Sequence, residues 1–170
     1  MKPITCLALA PLALLAACGP SVDVDDVTET LRLTEQAHLD AIAAEDVDGI
    51  MKLYEEDAVV MVPGEGPVSG TSAIRAYFER MVADPNLTIQ TTPGTSWTGA
   101  AGDLAVTTYT ATFTHSDPDS GERRTVPMNN QTVWTKDTGS SWKIASDYNL
   151  ALPDQAAKPD QAAKEVASAP

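Results

Sequence analysis

The sequence predicts an α+β fold in one small acidic domain, with helices toward the N-terminus and a mostly antiparallel sheet after them. Two observations predict it. Apolar residues recur at helical spacing through about residue 82, and from Leu87 to Leu150 the chain is rich in Thr, Val, Ile and aromatics broken by turn residues. A run of helices followed by a run of strands is the pattern of that class.

The elements follow in order. Lys2 supplies a basic start, and an apolar run from Ile4 to Ala17 follows, interrupted by Thr5 and Pro11. A membrane-spanning helix needs about 20 apolar residues, so this run is too short to span and has the length of a secretory signal core. Leu15-Ala16-Ala17-Cys18 resembles the lipobox read by lipoprotein signal peptidase. Residues 1–17 are therefore expected to be a cleaved signal, with Cys18 as the acylated new N-terminus. Two or three acyl chains give stable anchorage where one does not. Gly19 rather than Asp after the cysteine favours the outer membrane, facing the periplasm. Residues 18–26 then read as a polar tether.

Val27, Leu31, His38, Ala41 and Ile42 share one face of a first helix ending near Ala44. Asp46 caps a second, short helix whose face holds Ile50, Leu53 and Tyr54. Ala58 to Val62 reads as a strand stopped by Pro63-Gly64. Thr71 is expected to cap a third helix, in which Ile74, Tyr77, Phe78, Met81 and Val82 keep strict helical spacing. Four long strands follow: Leu87 to Thr98, Leu104 to His115, Arg123 to Lys136 and Ser141 to Leu150. Gly99 to Asp103, Asp117 to Gly121 and Asp137-Thr138-Gly139 separate them. In the second strand Ala105, Thr107, Tyr109, Ala111 and Phe113 share the apolar face, while Thr108, Thr110, Thr112 and Thr114 share the wet one. The domain thus covers residues 27–150. In the tail, 151–170, Pro153-Asp-Gln-Ala-Ala-Lys158 recurs unchanged as Pro159-Asp-Gln-Ala-Ala-Lys164, and its composition predicts disorder.

Composition excludes several functions. With 11 basic and 24 acidic residues the net charge is −13, and loss of Lys2 with the signal makes it −14 over 170 − 17 = 153 residues. Nucleic acid, which needs a basic footprint, is not an expected partner. Cys6 leaves with the signal and Cys18 is acylated, so no thiol remains for catalysis or metal binding. With only His38 and His115 as histidines, no metal or other cofactor is expected.

The order of elements, and several segments within it, resemble the nuclear transport factor 2-like superfamily in its SnoaL-like and ketosteroid-isomerase-like branch. The segments are 44–64 (AEDVDGIMKLYEEDAVVMVPG), 69–78 (SGTSAIRAYF), 102–110, 117–121, 132–135 and 141–148 (SWKIASDY). The resemblance implies a cone-shaped fold, with three N-terminal helices packed on a curved, mostly antiparallel sheet and a pocket between them. Strand parity then places Val60, Val62, Tyr109, Phe113, Met128, Asn130, Thr132, Trp134, Ile144, Ser146 and Tyr148 inward, joined by His38 from the first helix. The resemblance also implies three catalytic positions: a carboxylate base, which falls on Val62; a tyrosine, which becomes His38; and a protonated acid, which falls near Asn130. A valine accepts no proton, so the isomerase mechanism is absent as built, though His38 and Asn130 keep the capacity to donate to a carbonyl.

Each residue also has a plainer reading. His38 fits a core histidine satisfied by Asp147 or a sheet carbonyl, and a one-residue slip would exchange Asn130 for Asn129. Trp134 and Trp142 fit packing roles. Asp147, Asp103 and Glu55-Glu56-Asp57 fit solvated or capping carboxylates, and Glu65 lies at the presumed mouth. The expected function is a non-catalytic module that holds a small apolar ligand or a partner, forming a homodimer through the sheet's outer face. The alternative is an isomerase- or cyclase-like enzyme with an altered catalytic set.

Overall fold

The computed structural model describes residues 23–136 and 141–153. Cys18, the turn at Asp137-Thr138-Gly139 and the repeats from residue 154 onward lie outside the described residues.

Helix α1 (Val24–Ala43) starts three residues before the expected Val27, because the Asp23 carboxylate accepts from the Asp25 and Asp26 amides and caps it. Its inward face buries Leu31, His38 and Ile42. Asp46 caps α2 (Val47–Met51) by accepting from Gly49 N. Tyr54, expected on that helix, instead opens strand β1 (Tyr54–Val62). The chain extends there because Tyr54 pairs with Ile144 and Leu53 O accepts from Ile144 N. Long-range pairing overrides a helical pattern only a few residues long.

A tight turn at Pro63-Gly64-Glu65 folds β2 (Gly66–Ser69) back on β1, a strand the sequence reading did not separate. Gly70, at φ 79° and ψ 158°, then turns the chain into α3 (Thr71–Val82). Thr71 is therefore the first helical residue and not the cap; its hydroxyl donates to Glu56 O. Four strands complete the domain: β3 (Thr88–Thr98), β4 (Leu104–Ser116), β5 (Arg123–Thr135) and β6 (Lys143–Ala151). They form one curved six-stranded sheet in the order β2-β1-β6-β5-β4-β3, antiparallel except where β1 meets β6.

The inner face of the sheet packs on the helices around Leu31, Ile50, Val60, Ile74, Trp134 and Ile144, all inaccessible to solvent. Trp142 is buried in the same core, with Lys136 over its ring. Parity in β4 holds with one correction: Thr114, on the nominally wet face, is buried and shares a hydrogen bond with Thr125. A second irregularity has more consequence. Val133 pairs with Ser146 while Trp134 pairs with Ile144, so β6 carries an extra residue, Ala145, against β5. Such a bulge reverses the facing of every residue beyond it.

The outer face follows from the register. Val59, Ser146, Val133, Val106 and Trp97 form one row across the sheet, and Met61, Tyr148, Gln131 and Thr108 form the next. Leu150, Asn129, Thr110 and Thr92 form a third, and none of these side chains is charged. Trp97, Tyr148 and Leu150 are each about half exposed there.

Candidate functional site

A cavity of about 630 Å3 lies between the inner face of the sheet and helices α1 and α3. This is within the usual range for a small-molecule pocket. Helix α1 contributes Leu39 and Ile42, α3 contributes Tyr77, Phe78 and Met81, and the sheet contributes Val62, Ile89, Tyr109, Phe113 and Met128. The wall is therefore mostly hydrocarbon and aromatic ring. Two ion pairs stand at its mouth, Arg80 with Glu65 at 3.1 Å and Arg124 with Asp117 at 3.7 Å. Asp84 sits there too, accepting from Ser116 N and Oγ at 2.6 Å, bonds that hold its carboxyl below the usual carboxylate range.

The opposite end is polar, and it centres on Asp147. This carboxylate lines the cavity yet is only 5 % exposed. Tyr54 Oη donates to its Oδ2 at 3.0 Å, and Asn130 Nδ2 to its Oδ1 at 2.5 Å. Asn149 Nδ2 adds a third donor at 3.2 Å. Three donors thus converge on its two oxygens. His38 stands beside it, its Nε2 at 3.4 Å from Tyr54 Oη. Tyr54 has one proton and gives it to Asp147, so His38 Nε2 is the donor in that contact and Nδ1 is the bare nitrogen. Burial holds the imidazole below its ordinary value of 6.5, against the pull of the Asp147 charge, so the ring is neutral. Burial also pushes the Tyr54 and Tyr109 phenols upward, with the charge of Asp147 adding to it.

His38, Val62, Tyr109, Phe113 and Met128 come together on the cavity wall. Val62, where the resemblance places the base, offers a methyl-bearing surface. Val60, Trp134 and Ile144 lie in the packed core and do not reach the cavity, and Thr132 is buried with its hydroxyl on Asn130 Oδ1. Asn130 faces inward and Asn129 outward. Both Asn130 N–H groups are used within the protein, on Asp147 and Asn149, which leaves no donor for a bound carbonyl. Ser146 and Tyr148 are corrected: the extra residue at Ala145 turns them to the outer face, where Tyr148 is 45 % exposed.

The same bulge brings in the residue that the sequence reading placed among solvated carboxylates. Asp147 and Asn149 replace Ser146 and Tyr148 as the inward pair. Nothing in the alternation of Ser-Asp-Tyr-Asn marks that exchange. Tyr54 was hidden for a different reason, its assignment to a helix face. Glu35, one turn before His38, has a signal in hindsight, since i−3 from an inward histidine is an inward position. Its Oε1 accepts from Thr107 Oγ1 at 2.8 Å, and that oxygen in turn accepts from Trp134 Nε1 at 2.9 Å. Burial raises the Glu35 carboxyl above its ordinary value, partly offset by the Thr107 bond.

This architecture has many counterparts. A ketosteroid isomerase-like protein from Erwinia carotovora atroseptica superposes with a TM-score of 0.66 at 14% identity, covering 77% of this chain and 99% of that one. A conserved protein from Planctomyces limnophilus gives 0.65 at 19% identity, covering 76% and 98%. A nuclear transport factor 2-like superfamily protein from Salmonella enterica gives 0.64 at 16%, covering 78% and 96%. At these identities the likeness is one of fold. No curated protein matches the chain by sequence. The SnoaL-like domain model matches residues 36–145, which is most of the chain and holds every cavity residue from His38 to Met128. The chain belongs to the SnoaL-like domain family.

Proposed function

We propose that this domain is a non-catalytic receptor for a small, largely apolar molecule, tethered to the cell envelope by lipid on Cys18. One observation carries the reading. The cavity is walled by hydrocarbon and rings, and its single deep carboxylate already accepts three hydrogen bonds from the protein. A side chain so fixed anchors a ligand better than it shuttles a proton, and Val62 supplies no base in its place. A fluorescent hydrophobic probe titrated into the purified protein should bind one per chain with micromolar-range affinity. Ala111→Trp, which fills the cavity wall, should abolish that binding. Saturable binding that survives the filled cavity would remove the proposal.

The second reading, an isomerase- or cyclase-like enzyme, is favoured by Asp147 itself, a carboxylate in an apolar pocket beside a neutral imidazole. Turnover of an unsaturated ketone by the wild type, lost in Asp147→Asn, would replace the first reading with this one. For the anchor, the wild type should partition into detergent and incorporate palmitate, and Cys18→Ser should do neither. Equal partitioning of the two would end the lipoprotein assignment. We further propose a homodimer joined through the uncharged outer face of the sheet, in the outer membrane's periplasmic leaflet.

A further inference from the structure

We infer that the ligand is an apolar molecule bearing an ammonium group, held against Asp147 at the deep end of the cavity. The inference rests on the receptor reading above and names the chemistry that site selects. Three donors at the deep end turn onto the carboxylate: the Tyr54 hydroxyl and one N–H each of Asn130 and Asn149. His38 spends Nε2–H on Tyr54, so its remaining nitrogen is an acceptor. The deep end therefore presents a ligand with a carboxylate and an imidazole acceptor, while the Tyr54 and Asn130 donors are already spent within the protein.

Charge points the same way. Among the described residues no Lys or Arg pairs with Asp147, and the four ion pairs lie elsewhere. A buried carboxylate without a countercharge is expensive to hold, and a ligand cation repays that cost where a neutral ligand does not. Tyr77, Phe78, Tyr109 and Phe113 line the same space, and ring faces attract ammonium groups. At the mouth both guanidinium groups already face carboxylates, and Asp84 adds a further negative charge. With a net charge of −13 on the chain, the field around the protein draws cations toward that entrance.

The test compares three molecules with one skeleton: 2-naphthylmethylammonium, 2-naphthylmethanol and 2-naphthoate, titrated calorimetrically into the purified protein. The ammonium should bind at least about tenfold more tightly than the alcohol, as a desolvated charge pair implies, and the carboxylate should bind weakest. Asp147→Asn should level the ammonium with the alcohol. Should that variant unfold, the wild-type order decides alone. Equal binding of all three, or preference for the carboxylate, overturns the ammonium assignment and leaves the receptor reading intact. Failure of all three to bind overturns both. Ammonium binding undiminished in Ala111→Trp reveals adsorption to the acidic surface and also overturns the assignment.

Discussion

Asp147 and His38 share one polar cluster but differ in what their removal strands. Asp147→Leu leaves the buried Tyr54 hydroxyl and Asn130 amide, and the part-buried Asn149 amide, without their acceptor, and each of the two buried donors so stranded costs about 1–3 kcal/mol. The variant should lose roughly 3 kcal/mol or more of unfolding free energy in urea. His38→Leu removes a neutral ring of similar volume whose polar contact, at 3.4 Å, is long, while Tyr54 keeps its bond to Asp147. Its loss should stay under about 1.5 kcal/mol. A reversed order would mean that the imidazole, not the carboxylate, organises the cluster. The pH dependence has a definite sign. The folded state holds His38 below the 6.5 of an ordinary histidine, so between those two values the unfolded chain binds the extra proton. The contribution of neutral His38 is whole above about pH 6.5 and is lost as pH falls toward and through the depressed folded value. Glu35 acts oppositely: its carboxyl is raised from 4.5, so its contribution is present below that value and lost as pH rises through the folded one. Only the His38 part should disappear in His38→Leu. The stability of the wild type relative to that variant should be flat above about pH 6.5 and decline below it.

At the scale of elements, Gly70 tests how the sheet hands the chain to α3. Its φ of 79° with ψ of 158° is a region open essentially to glycine, and its amide donates to Ala58 O at 2.9 Å. An added Cβ would meet nothing nearer than Glu56 O at 3.7 Å, so Gly70→Ala probes backbone strain alone. It should cost about 1–3 kcal/mol, read as a lower urea midpoint at unchanged slope. The elements themselves were largely legible. Helix α3 follows from Ile74, Phe78 and Met81, and the strands from Thr-rich runs between Gly, Asp and Pro turns. Three boundaries failed: Tyr54 is drawn into the sheet by distant Ile144, while Asp23 and Gly70 take the cap positions ahead of Val27 and Thr71. The candidate site was legible as far as regular alternation carried it, through Val62, Tyr109, Phe113 and Met128. It failed past Ala145, because one inserted residue in β6 has no local signature in composition. The exchange of Tyr148 for Asp147 that follows turns an apolar inner wall into an anionic one. A reading from parity alone therefore misses the carboxylate at the deep end of the cavity.

For the whole molecule, the distribution of charge governs association. Two copies, each with a net charge of −13 on the full chain, repel one another over any ordinary part of their surface. The three outer rows of the sheet are the exception, since they run from Trp97 to Val59, from Thr108 to Met61 and from Thr92 to Leu150 without a charged side chain. Half-exposed Trp97, Tyr148 and Leu150 give that face the aromatic and aliphatic surface an interface core favours. If copies pair there, desolvated side chains hold them and residual charge opposes them from the periphery. Raising salt from about 50 to 500 mM shortens the screening length and should tighten the pair. Gln131 lies on the middle row between Thr108 and Tyr148, exposed in the single chain. Gln131→Glu therefore leaves the fold nearly untouched, yet it would bury two new charges against an uncharged partner surface. Sedimentation velocity should find the wild type as a dimer that strengthens with salt, and Gln131→Glu as a monomer with the same melting curve at low concentration. A wild type that sediments as one chain at every concentration and salt, or a Gln131→Glu variant that pairs as well as the wild type, would place any interface elsewhere than on this face.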